Sequence, residues 1–92
     1  MEDREGPVMY EDWIADDFAE YCTVIGSIVT LQDENGTRLF RLVRIRQRPG
    51  SPELIYQSMD DGKIYLEMEL PHLAYDTLES GGHVYANGHK LA

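Results

Sequence analysis

At 92 residues the chain is long enough for one domain with one core and too short for two. Asp and Glu outnumber Lys and Arg by 17 to 8, giving a net charge of -9. That balance argues against a general affinity for nucleic acid, whose phosphates demand cationic side chains, and favours steering toward a basic partner.

Residues 1–8, with Gly6 and Pro7, read as a flexible N-terminus. The opening Met1-Glu2-Asp3-Arg4-Glu5 is acidic and has no apolar stretch behind it, unlike a signal peptide. A single α+β domain is expected over 9–86, followed by a C-terminal tail over 87–92. From Tyr10 the pattern turns helical. Tyr10, Trp13, Ile14, Phe18, Tyr21 and Cys22 recur at spacings of three and four and form one apolar stripe. Asp12, Asp16 and Glu20 form a second, acidic stripe, and Glu11 and Asp12 fall in the first turn, where the helix dipole favours negative charge. A helix is predicted over 9–22.

Thr23 to Leu31 is rich in Val, Ile and Thr and reads as a strand, closed by the turn Asp33-Glu34-Asn35-Gly36. Thr37 to Arg48 returns as the second strand, with a bulge expected where Arg38 to Val43 breaks alternation. Pro49-Gly50-Ser51-Pro52 is a loop, Leu54 to Met59 a third strand, and Asp60-Asp61-Gly62 a hairpin turn. Lys63 to Leu70 carries the clearest alternation, Ile64, Leu66, Met68 and Leu70 against Tyr65, Glu67 and Glu69, and is predicted as a strand ended by Pro71. Residues 72–79 fit a short strand or a helical turn, and His83 to Ala86 a last strand. The expected architecture is an N-terminal helix followed by a meander of four or five antiparallel strands, of the SH3-like or Sm-like small-barrel type.

No arrangement in the chain points to catalysis, a cofactor or a metal. Cys22 is the single cysteine; it lies on the apolar stripe, reads as a buried hydrophobe and cannot form an internal disulfide. His72, His83 and His89 have no metal-ligand spacing and read as surface residues. With no apolar run near the ~20 residues that span a bilayer, the expected setting is cytoplasmic with no membrane partner.

Two charge clusters remain. Arg38, Arg41, Arg44, Arg46 and Arg48 are five of the eight basic residues. Arg44, Arg46 and Arg48 alternate along one strand, a candidate anion-binding face, with Tyr56 or Tyr65 available for stacking; the plain alternative is pairing with Glu67, Glu69 and other acids across the sheet. The other cluster is the amino end, where residues 1–20 hold eight of the 17 acids and one base. Glu11, Asp12, Asp16 and Glu20 could present carboxylates to a basic groove with Trp13 as an anchor; the plain alternative is an ordinary solvated helix face.

Asp16-Asp17-Phe18 in the helix, Ser27 to Phe40 as a first hairpin, Glu53 to Leu70 as a second and a last strand near Val84 resemble the layout of Rof-type proteins, small acidic bacterial inhibitors of the termination factor Rho. The resemblance implies an Sm-like barrel that occludes an RNA-binding surface on its target. The functional expectation is therefore a non-catalytic acidic protein, from a bacterium or a phage, that inhibits a larger nucleic-acid-handling protein by occupying its basic surface. An RNA- or DNA-binding or adaptor module using Arg44, Arg46 and Arg48 is the alternative, and a homodimer through a sheet edge is compatible with either.

Overall fold

The computed structural model describes residues 10–50, 52–66 and 68–91, with side chains from Trp13 onward. The expected N-terminus over 1–8 lies outside the described residues. In chain order the elements are α1 (Tyr10–Tyr21), β1 (Ile28–Asp33), β2 (Gly36–Arg46), β3 (Glu53–Ser58), β4 (Ile64–Tyr65), α2 (Glu69–Glu79), β5 (His83–Ala86) and β6 (His89–Leu91). The architecture is α+β, with six strands and a second helix where four or five strands and one helix were expected.

The six strands form one antiparallel sheet in the order β4-β3-β2-β1-β5-β6, and the sheet is not closed. One of its faces is packed against both helices. The stripe read from α1 supplies Ile14, Phe18 and Cys22 to that core, where they meet Val29, Leu31, Phe40, Leu42, Tyr56, Val84 and Leu91 from the sheet and Leu70 and Ala74 from α2. Phe18 meets the Tyr56 ring edge-on at 6.0 Å, and Phe40 meets Tyr65 likewise at 5.2 Å. Each such side chain taken fully from water contributes about 1.5–3 kcal/mol.

The expected strand from Thr23 begins only at Ile28. Gly26 adopts φ +98°, and Ser27 donates from both its backbone N–H and its hydroxyl to the Val24 carbonyl. The chain is thus turned sharply on its way from the helix to the sheet, and Val24 and Ile25 are left exposed. β-Propensity loses here to the geometry of the connection.

The largest departure concerns Lys63 to Leu70. Only Ile64 and Tyr65 are strand; the chain then enters α2. The alternation was real, but the apolar members Ile64, Leu66 and Met68 are 45%, 50% and 40% exposed, so no face of a strand is buried by them. Leu70, Ala74 and Thr77 are buried at helical spacing instead. Pro71 lies in the first turn of α2, where its missing N–H costs no helical hydrogen bond. The turn is held by Glu69, whose carboxylate accepts from the Leu66 N–H at 2.6 Å while its own N–H donates to the Leu66 carbonyl at 2.9 Å. At the other end Gly82 passes so close to Gln32 and Thr77 that a Cβ there would clash, which lets the end of α2 dock on β1.

Residues 87–91 of the segment expected as a tail instead carry the last hairpin. Asn87 and Gly88 adopt φ +51° and +90°, as a tight two-residue turn requires, and Val84, Tyr85 and Ala86 pair with Leu91, Lys90 and His89. The first Asn-Gly behaves differently: Gly36 alone takes a positive φ, and the Asn35 N–H donates to the Asp33 carboxylate.

Candidate interaction surface

α1 and β2 carry the two charge clusters to opposite sides of the molecule. α1 lies on the packed face of the sheet. With Ile14, Phe18 and Cys22 turned inward, Asp16 and Glu20 fall on its outer side, both exposed. They are four residues apart, so their stems stand about 6 Å apart along the helix axis. Among the described residues neither has an ion pair or hydrogen bond. Glu11 and Asp12 belong to the same helix, but their side chains lie outside the described residues.

Asp17, between these two, is half-buried, and its carboxyl is raised above the usual range, first by burial and then by the Glu20 and Asp16 charges. The like-charge contribution reflects the crowding of carboxylates on this helix. Trp13 is partly buried against the core and lines a groove with Tyr75, Leu78, Glu79, His83 and Lys90. On the other flank, Ala15, Asp16 and Ala19 edge a second groove floored by Leu54, Tyr56 and Pro71. The acidic ridge thus runs between two depressions with apolar linings.

The arginines follow a different rule from the predicted one. The register of β2 with β3 shifts between Leu42 and Arg44, and Arg41, Arg44 and Arg46 oppose Gln57, Ile55 and Glu53. Those partners are successive same-side positions of β3, so the bulge brings Arg41, Arg44 and Arg46 into one row. Phe40, Leu42 and Ile45 face the core side, opposite Ser58, Tyr56 and Leu54. The arginine row therefore lies on the sheet face away from the helices, and all three residues are exposed.

Arg48 lies beyond the end of β2 and is not part of the alternating row; it reaches back to Glu53. Glu53 is the cross-sheet acid that the sequence reading allowed for but did not name. Its Oε1 lies 3.5 Å from Arg46 Nη1 and 3.2 Å from Arg48 Nη2, with the carboxylate side chain only 8% exposed. Glu69, one of the expected partners, instead accepts from the Leu66 N–H in the turn that leads into α2, and Glu67 lies outside the described residues. The signal that could have found Glu53 is its place just past the Pro-Gly loop, where a hairpin returns it opposite Arg46.

The expected stacking residues are not available to an anion on this face. Tyr56 is 1% exposed and belongs to the core, its hydroxyl beside the Cys22 thiol without a hydrogen bond of good geometry. Burial pushes both groups up and keeps them neutral. Tyr65 is half-buried against Phe40. Cys22 is a buried free thiol. His72 lies 3.6 Å from Asp76 one turn along α2, and His89 stacks on Tyr21 at 4.2 Å. Among the described residues no helix is long and apolar enough to cross a membrane.

Comparison with protein-family models, curated proteins and solved structures finds no match to this chain.

Proposed function

We propose that this protein is a non-catalytic acidic binder that inhibits or regulates a larger nucleic-acid-handling protein by laying the outer side of α1 on its basic surface. The observation that carries the reading is the exposed pair Asp16 and Glu20, without ion partners among the described residues, while the guanidinium groups of Arg46 and Arg48 are engaged by Glu53 on the other side of the sheet. Internal neutralisation of the ridge by the arginine strand would have removed the basis for the proposal. A basic groove that normally holds phosphates would find carboxylates at ~6 Å steps and, in Trp13, an aromatic edge beside them. The Rof-type resemblance belongs to the same proposal, together with kinship to the Sm-like small barrels; the long, bulged β2 supports a sheet bent in that manner.

The test is displacement of RNA from Rho, and capture of the partner from the native host, each with the wild-type chain and with Asp16→Asn/Glu20→Gln. Two exposed ion pairs contribute about 0.2–1 kcal/mol each, so the double variant should bind roughly tenfold more weakly. The wild-type affinity should fall with added salt. Equal binding by the variant, or affinity indifferent to salt, would rule the acidic ridge out as the contact.

The second reading, an RNA- or DNA-binding or adaptor face on the arginine strand, is favoured by one observation, the common side of Arg41, Arg44 and Arg46. The Glu53 carboxylate among those arginines and the burial of Tyr56 weigh against phosphate and base recognition there.

A further inference from the structure

Among the described residues no helix lies against the sheet face that carries Arg41, Arg44 and Arg46, and its arginines bear charge of the sign opposite to the molecule as a whole. Leu39 and Ile64 lie on the same side, by their pairing with Thr30 and Gln57, and are 37% and 45% exposed. A cationic row flanked by apolar side chains calls for an acidic element of matching repeat. Successive same-side residues of a strand stand about 6.6–6.8 Å apart, and residues four apart on a helix stand about 6 Å apart along its axis. Asp16 and Glu20 of α1 therefore match the step from Arg41 to Arg44 across the bulge, the two arginines of the row that Glu53 does not engage. Because α1 lies on one face of the sheet and the arginines on the other, one molecule cannot satisfy both; a second copy can.

We infer that the arginine face of the sheet receives the acidic side of α1 from a second copy of this chain. The contact is heterologous: each copy offers its ridge to one neighbour and its sheet face to another, so assembly proceeds head to tail. The net charge of -9 opposes association at long range. At physiological ionic strength that repulsion is screened beyond about 8 Å, while charges in direct contact are not. The same ridge serves the target contact proposed above, so a second copy and the target compete for it, and self-association holds the ridge in reserve. The self-contact is measured without any target, so its failure leaves the target reading standing, and the reverse.

Sedimentation equilibrium of the purified chain supplies the test, at high protein concentration, in about 0.15 M and about 1 M salt, where the screening length falls from ~8 to ~3 Å. The wild type should exceed its single-chain mass of 10.6 kDa at the lower salt and return to it at the higher. Asp16→Asn/Glu20→Gln and Arg41→Gln/Arg44→Gln should each remain single chains. Mixed in equal amounts, they retain one intact ridge and one intact arginine row between them, so they should form pairs and go no further. These positions are exposed, and circular dichroism confirms that each variant is folded; the single substitutions Asp16→Asn and Arg44→Gln, each expected to weaken association several-fold, replace any double variant that is not. A wild type that stays at one chain in both salts overturns the inference. So does association that either double variant retains in full, or a mixture that fails to pair while the wild type associates.

Discussion

α1 and β2 each carry a regular row of like charges, and the two rows have different fates. On α1 the repeat is four residues, and burial of the intervening Ile14, Phe18 and Cys22 forces Asp16 and Glu20 outward without a counter-ion among the described residues. On β2 the repeat is two residues, corrected by a bulge, and the row ends on a nearly buried carboxylate, Glu53, that engages Arg46 while Arg48 closes on it from the loop. The difference shows that a charged stripe stays open along its whole length only when the opposite face anchors its element and no neighbouring strand supplies the opposite charge; of the row on β2, only Arg41 and Arg44 stay open in this way among the described residues. A helix surface has no cross-strand partner; a strand always does.

The comparison can be broken at its foundation first. Phe18→Ala removes the side chain that seats α1 against Tyr56 and should cost about 3–5 kcal/mol in chemical denaturation, taking the acidic ridge with it. Next, Glu53→Gln should cost about 1–2 kcal/mol, because the half-exposed arginines lose a charge-assisted contact but keep access to water. Arg44→Gln, which has no ion partner among the described residues, should stay within about 0.5 kcal/mol of wild type. If the Glu53 and Arg44 substitutions cost the same, the claimed difference between engaged and open arginines is wrong.

The smallest effect sharpens the acidic side. Asp17 has its carboxyl raised in the folded chain by burial, with Glu20 and Asp16 adding to it. The native state therefore holds this proton more tightly than the unfolded state does, and stability falls as pH rises from the ordinary carboxyl range through the raised one. At neutral pH the ionised Asp17 opposes folding, so Asp17→Asn should raise the melting temperature slightly there. The advantage should shrink as the pH is lowered through that window. An advantage that grows on acidification would mean that Asp17 is held by an attractive partner, not by burial and like charge.

Much of this was legible in the chain because it depends on local periodicity. The apolar stripe of α1, the Asp33-to-Gly36 and Asp60-to-Gly62 turns, the burial of Cys22 and the bulge in β2 all follow from spacing or from backbone preference. The alternation of Ile64, Leu66, Met68 and Leu70 misled for a reason that is also local: a period of two over eight residues contains enough apolar positions to start a helix. What decides between the two is whether the next residues bury their side chains at steps of three and four, as Leu70, Ala74 and Thr77 do. Asn87-Gly88 carried a hairpin signal that only the three residues after it, pairing as β6, turn into a strand.

By itself, then, the amino-acid sequence determined the helix and its two stripes, the order of the first hairpins, the excess of acid and its concentration at the amino end, because these are set by neighbours a few residues apart. Tertiary structure alone decided that Arg41 joins Arg44 and Arg46 in one row, that Glu53 is the acid meeting Arg46 and Arg48, and that ridge and row lie on opposite sides of the sheet. Those outcomes depend on strand register and on which face the helices cover. Both are settled by burying the whole core at once, so no short stretch of the chain contains them.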